Sequence, residues 1–246
     1  MKKSFQHLII LVVFIFIYCA QGYTQDLSKT TDLRIACVGN SITAGARVTD
    51  PSQYGYPAIL SDLLQSGGYQ KCLVRNFGIG GATVLKFGTP NIWRVLDSLK
   101  LFVPDIVIIE VGTNETVGEP RRNWEHIDAF ETDYQEYINR LRVINPACRI
   151  ILCSPPDMVL TTPNLPADRV ANLTERRPRI WELRERIRTL SKAEGIYFLD
   201  LSKAFRGRPD LMTPMDGVHP NQAGYAFLAE QVFHLLKKKR LIRQQI

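Results

Sequence analysis

Residues 37–45 read CVGNSITAG. An apolar run made by Leu33, Ile35, Ala36 and Val38 stops at Gly39-Asn40-Ser41 and then resumes in a helical pattern. One reading is a plain strand-to-helix turn, in which glycine supplies a permissive backbone and serine caps the next helix. The other is that Ser41 is a nucleophile held at the mouth of a sheet. The tripeptide leaves both open, and the rest of the chain has to choose.

Working outward, the same kind of run recurs. "LRIACVG" (33–39), "CLVRNFG" (72–78), "DIVIIEVG" (105–112), "CRIILCS" (148–154) and "IYFLDL" (196–201) are continuous and rich in β-branched residues. They do not alternate, as befits strands buried on both faces. Helical patterns fall between and after them, at 56–66, 91–101, 126–144, 175–194 and 221–240. In the third, Ile127, Phe130, Tyr134, Tyr137, Ile138 and Leu141 recur every three or four residues, and Pro146 ends the pattern. The fourth is expected to start after Thr174 and to stop at Gly195. Five strands alternating with helices predict a three-layer α/β/α sandwich on a five-stranded parallel sheet. No repeat or linker divides it. The stretch 155–174 reads as one long irregular loop, a length that in compact domains usually serves function.

The chain has 246 residues, enough for one large domain with a substantial core. Met1-Lys2-Lys3 precedes "LIILVVFIFIYCA", the layout of a secretory signal peptide over 1–25, cleaved near Ala20 or a few residues beyond. The apolar run is short for a membrane span, and Tyr18 before Cys19 does not suit a lipoprotein signal. The expectation is a secreted or periplasmic domain, 26–246, with no stable membrane anchor. The net charge of +7 rests on Lys2, Lys3 and a C-terminal tail with Lys237, Lys238, Lys239, Arg240 and Arg243; the remainder is neutral. A nucleic-acid partner would need its charge as a patch on the fold, so none is expected. Cys37, Cys72, Cys148 and Cys153 lie in or beside apolar strands and read as buried thiols. No Cys, His and carboxylate cluster has metal-ligand spacing, so neither metal nor cofactor is expected.

Ligands in open α/β sheets sit outside the C-terminal ends of the strands. Gly39-Asn40-Ser41 follows the first strand, "NFGIGGAT" (76–83) the second, and Gly112-Thr113-Asn114-Glu115 the third. "DGVHP" (216–220) precedes the last helix. A serine needs a base, and His219 can serve; the imidazole needs a partner for its other nitrogen, and Asp216 can serve. An acyl-transfer oxyanion needs pre-placed donors, which the backbone amides of Ser41 and Gly81 and the side chain of Asn114 could supply. His126 and His234 fall on helices, and His7 belongs to the leader. The G-x-S-x-G elbow of the commoner serine hydrolases does not fit Ser41-Ile42-Thr43.

At these blocks the sequence resembles the SGNH hydrolases, the GDSL-like esterases and lipases, over roughly 33–236. The resemblance implies a flavodoxin-like strand order, Ser41 as nucleophile, Gly81 and Asn114 in the oxyanion hole, and Asp216 and His219 completing a triad. Two positions depart from the family pattern: Asn40 stands for Asp, and Glu115 stands for Asp beside Asn114. "GTNE", Trp124 and "DGVHPNQAG" look most like exported bacterial carbohydrate esterases, in character near sialate or plant-polysaccharide O-acetylesterases. That implies hydrolysis of a small acyl group from a small-molecule or glycan ester, with Arg121, Arg122 and Trp124 as candidate contacts to an anionic sugar. A lipid esterase or thioesterase would use the same chemistry with an acyl groove from Met158, Val159, Leu160, Phe205, Leu211 and Met212. A glycan-binding module on the same fold is the alternative of a different class.

Overall fold

The computed structural model describes residues 32–244, except 70 and 193–195. The leader reading for 1–25 and the helix stop at Gly195 lie outside the described residues. Five strands, β1 (Leu33–Gly39), β2 (Cys72–Gly78), β3 (Ile106–Glu110), β4 (Arg149–Cys153) and β5 (Tyr197–Leu199), form one sheet. Every pairing is parallel, and the order is β2-β1-β3-β4-β5. All five residues of the central β3 are buried, as its unbroken Ile-Val-Ile-Ile demands.

Side chains alternate across the sheet. Ile35, Ile106, Ile108 and Ile151 pack under α3 (Tyr56–Ser66) and α8 (Gln222–Lys238) through Tyr56, Leu60, Tyr225 and Leu228. On the other face, Val38, Val107, Ile109 and Leu152 pack under α4 (Leu96–Phe102), α5 (Phe130–Ile144) and α6 (Ala167–Ser191). Leu99, Phe130, Tyr134, Ile138, Leu183 and Ile187 fill that second layer. Single-turn helices also occur: α1 (Ser41–Ala44) follows β1, α2 (Pro51–Tyr54) leads into α3, and α7 (Leu201–Ala204) follows β5.

The register aligns the strand ends. Gly39 pairs with Gly78 on one side and Glu110 on the other, and Glu110 with Cys153. Strand order reverses between β1 and β3, so the segments that follow them flank the crevice where such sheets bind ligands.

Two expectations need correction. The α6 helix begins at Ala167, not after Thr174, so 155–174 is not one irregular stretch. Its first two turns pack on loops rather than on the sheet. Over 167–176 the buried side chains are Leu173 and Arg176, so the apolar periodicity that reveals a helix is absent there. The thiols also divide: Cys37 and Cys153 are buried, whereas Cys72, on the edge strand β2, and Cys148, just before β4, are half-buried. Among the described residues no helix is long and apolar enough to cross a membrane.

Candidate active site

The turn after β1 is built tightly. A Cβ on Gly39 would lie 2.3 Å from the Glu110 carbonyl oxygen and equally near Thr43 Oγ1, so only glycine lets β1 run this close to β3. Asn40 then caps α1, its side-chain oxygen accepting from the Ile42 nitrogen at 2.8 Å. Ser41 is therefore the first residue of a short helix, raised at the strand end. Its Oγ lies 2.8 Å from His219 Nε2.

His219 arrives from the loop before α8. Asn221 caps that helix through the Gly224 nitrogen, and its Nδ2 donates to the carbonyls of Asp210 and Met212. His219 Nδ1 is 3.0 Å from Asp216 Oδ2 and 3.1 Å from Oδ1. Asp216 also accepts from the backbone nitrogens of Val218 and His219, both at 3.0 Å. Burial pushes its carboxyl up, but the hydrogen bond and charge of His219 and these amides outweigh it and hold the group well below the ordinary carboxylate range.

The opposite wall comes from the segments after β2 and β3. Gly81 has φ of +77°, a left-handed backbone that suits glycine. Asn114 Nδ2 donates to the Ala82 carbonyl at 3.0 Å, which leaves the amide's second hydrogen for a ligand. Glu115 underpins both segments: its carboxylate oxygens accept from Gly112 N at 2.8 Å and Val84 N at 2.7 Å. The longer acid thus braces two loops at once. Burial pushes it up to about 7 despite those bonds. Asn123 adds a bond from its side chain to the Asn114 carbonyl, at 2.9 Å.

A cleft of about 590 Å³ brings Ser41, Gly81, Asn114, Asp216 and His219 together. Arg121, Arg122 and Trp124 are not in its lining. Arg121 reaches Gly81 from outside the lining, donating to its carbonyl at 2.5 Å. Arg122 is exposed and ion-paired with Glu119 and Glu125. The Trp124 ring carries the Arg179 guanidinium 5.1 Å from its centre. The cleft holds three other arginines, Arg47, Arg169 and Arg176. Arg47 Nε lies 3.0 Å from Asp216 Oδ2, and Arg169 donates to the Asp216 carbonyl and carboxylate. Arg169 and Arg176 are seven residues apart on α6 and so share a face; that spacing would have singled them out had the helix been read from 167. Among the described residues no three His, Cys, Asp or Glu side chains gather as a metal site.

The serine at the first strand end, paired with an Asp-x-x-His before the last helix, matches a sequence pattern. The model of the GDSL-like lipase/acylhydrolase family aligns with residues 37–227. This chain belongs to that family. An acetylxylan esterase of Xylanibacter ruminicola is 29% identical over 232 residues, covering 85% of this chain and 44% of that protein. The chain therefore spans less than half the length of this relative. Solved structures share its fold. A lipase/acylhydrolase from Enterococcus faecalis gives a TM-score of 0.66 at 22% identity, covering 87% of this chain and 98% of that one. A carbohydrate acetylesterase family member from Sinorhizobium meliloti gives 0.64 at 17% identity, covering 83% and 97%.

Proposed function

We propose that this member of the family is a serine esterase that removes acetyl groups from carbohydrates. The observation that carries the reading is the continuous chain Ser41 Oγ to His219 Nε2 and His219 Nδ1 to Asp216, opening on a cleft shared with Gly81 and Asn114.

In the reaction, Ser41 Oγ attacks the acetyl carbonyl carbon while His219 Nε2 takes the hydroxyl proton. Asp216 fixes the imidazole tautomer and balances the imidazolium. The carbonyl electron pair moves onto oxygen, which meets the amides of Ser41 and Gly81 and the carboxamide of Asn114. Collapse expels the sugar oxygen, which leaves as a hydroxyl with the proton held by His219. Water then attacks the acetyl-serine, giving up a proton to His219. Acetate leaves, and the proton returns to Ser41.

The short acyl group is favoured by where the apolar residues went. Met158, Val159, Phe205, Leu211 and Met212 are buried in the packing of the fold, Leu160 is half-buried, and none of the six lines the cleft. The cleft instead carries three arginines, Arg47, Arg169 and Arg176, with only Val117, Pro166, Met215 and Val218 beside them as apolar lining. The acetylxylan esterase relative points to an acetylated polysaccharide, and the sequence of the leader to an exported protein. A non-catalytic glycan-binding role would leave the serine-histidine contact unused.

A series of p-nitrophenyl esters, together with acetate release from acetylated xylan oligosaccharides, tests the reading. Turnover highest on acetate and falling towards octanoate is expected. Preference for octanoate would overturn the carbohydrate assignment, and no turnover on any ester would overturn the esterase itself.

A further inference from the structure

Arg176 is 8% exposed, and its hydrogen bonds go to uncharged oxygens. It donates to the Thr113 carbonyl at 2.9 Å, Thr116 Oγ1 at 3.0 Å and Asn172 Oδ1 at 3.1 Å. Neighbours on the same helix have carboxylate partners: Arg169 with Asp216, Arg177 with Asp157, Arg179 with Glu175. Among the described residues Arg176 has none within ion-pair distance. Burial, then the charges of Arg169 and Arg179, pull the guanidinium down to about 10, with Glu175 acting the other way, so it remains charged at neutral pH. A buried charge without a counter-ion is costly, and this one lines the cleft.

Around it the balance is positive. Arg169 and Arg47 line the same cleft. Arg47 gives its Nε to Asp216, and its side chain is 59% exposed, so among the described residues its terminal nitrogens are left for a ligand. Of the two acids in the lining, Asp216 is already shared between both arginines and His219, and Asp168 is exposed, where water solvates it. One buried, uncompensated positive charge calls for one negative charge, and a guanidinium fork matches a carboxylate.

The geometry points to an anionic substrate: an acetylated sugar bearing a carboxylate, held by Arg176 with Arg47 and Arg169 while its acetyl group meets Ser41. This rests on the esterase reading above and narrows its substrate to uronic-acid glycans. The carboxylate supplies the counter-ion that the chain itself withholds from Arg176.

The test uses an O-acetylated methyl glucuronoside and its twin, in which the carboxylate is an uncharged carboxamide. Wild-type kcat/KM is expected to favour the acid by about tenfold or more, the worth of one charge-assisted contact. Arg176→Gln should bring the ratio close to one, and Arg176→Lys, which keeps the charge but not the fork, should keep only part of it. Arg47→Gln, at an exposed position, should lower the ratio several-fold; because Arg47 also holds Asp216, the acid-to-amide ratio within the variant, and not its absolute rate, is the readout. In a catalysis-free arm, deacetylated methyl glucuronoside should raise Tm more than its carboxamide does. Equal kcat/KM for acid and amide in a wild type that turns over p-nitrophenyl acetate would overturn the inference alone. So would an Arg176→Gln protein that loses both activities equally, because Arg176 would then serve the oxyanion or merely hold Thr113. Absence of p-nitrophenyl acetate turnover would count against the esterase reading, and the Tm arm would still decide the anion.

Discussion

The Asn40 carboxamide nitrogen lies 3.4 Å from Glu110 Oε1, beneath the turn that carries Ser41. An asparagine can accept from the Ile42 nitrogen and donate to Glu110 at once; an aspartate could only accept. Among the described residues the other Glu110 oxygen is buried with no hydrogen-bond partner. Burial, then the charge of Glu115, pushes Glu110 up to about 8. Asn40, where the family pattern has Asp, thus suits a position that a buried acid faces.

A pH dependence of stability follows. Below its ordinary value of 4.5, Glu110 is protonated in both the folded and unfolded states. As pH rises from there to about 8, the unfolded state releases the proton and the folded state keeps it, so stability declines and then levels off. Glu110→Gln should therefore raise Tm by a few degrees at pH 8.5 and little at pH 5. Equal shifts at both pH values, read by thermal melts, would contradict this.

Asn40→Asp sets a second acid against Glu110. It should cost about 1–3 kcal/mol at pH 8 and less at pH 5. Adding Glu110→Gln should recover much of the loss, since a Gln amide can donate to the new carboxylate. Denaturant melts of the single and double variants measure the coupling.

Glu115 accepts from two buried backbone nitrogens on different loops. Glu115→Ala orphans both, and an expected loss of about 2–4 kcal/mol follows from two unsatisfied buried amides. Glu115→Asp is one methylene short of spanning Gly112 and Val84, and kcat should fall more than KM rises as Asn114 loses its support. An unchanged kcat in a stable Glu115→Asp protein would count against that role.

Asp216 titrates below the usual carboxylate range in the fold. Its contribution to stability is complete above its unfolded value of about 4 and is lost as pH falls through the depressed folded value. Melts of wild type and Asp216→Asn should differ at pH 7 and converge in strong acid. Loss of activity between pH 4 and 7 should then come from a group other than Asp216.

How far the sequence carried the fold depends on what each segment packs against. Strands buried on both faces announce themselves, as Ile106–Glu110 does, and the glycine- and asparagine-bearing segments after them have little to do except form a site. Ser41, Gly81, Asn114, Asp216 and His219 accordingly share one cleft. The first turns of α6 carry no apolar stripe because they meet loops through Arg169 and Arg176, and so the cationic wall was invisible. Arg121, Arg122 and Trp124 lie close along the chain to Asn114, but proximity in sequence did not bring them into the cleft. Arg47 had no motif to mark it; it reaches Asp216 across 169 residues.

The most direct test of the central claim is the initial rate of p-nitrophenyl acetate hydrolysis by the wild-type protein beside Ser41→Ala. The account expects wild-type turnover and a fall of several orders of magnitude when the hydroxyl is removed, as for loss of a nucleophile. A Ser41→Ala protein that folds and hydrolyses the ester as fast as wild type would contradict it, and Ser41 would then be no more than the first residue of a turn.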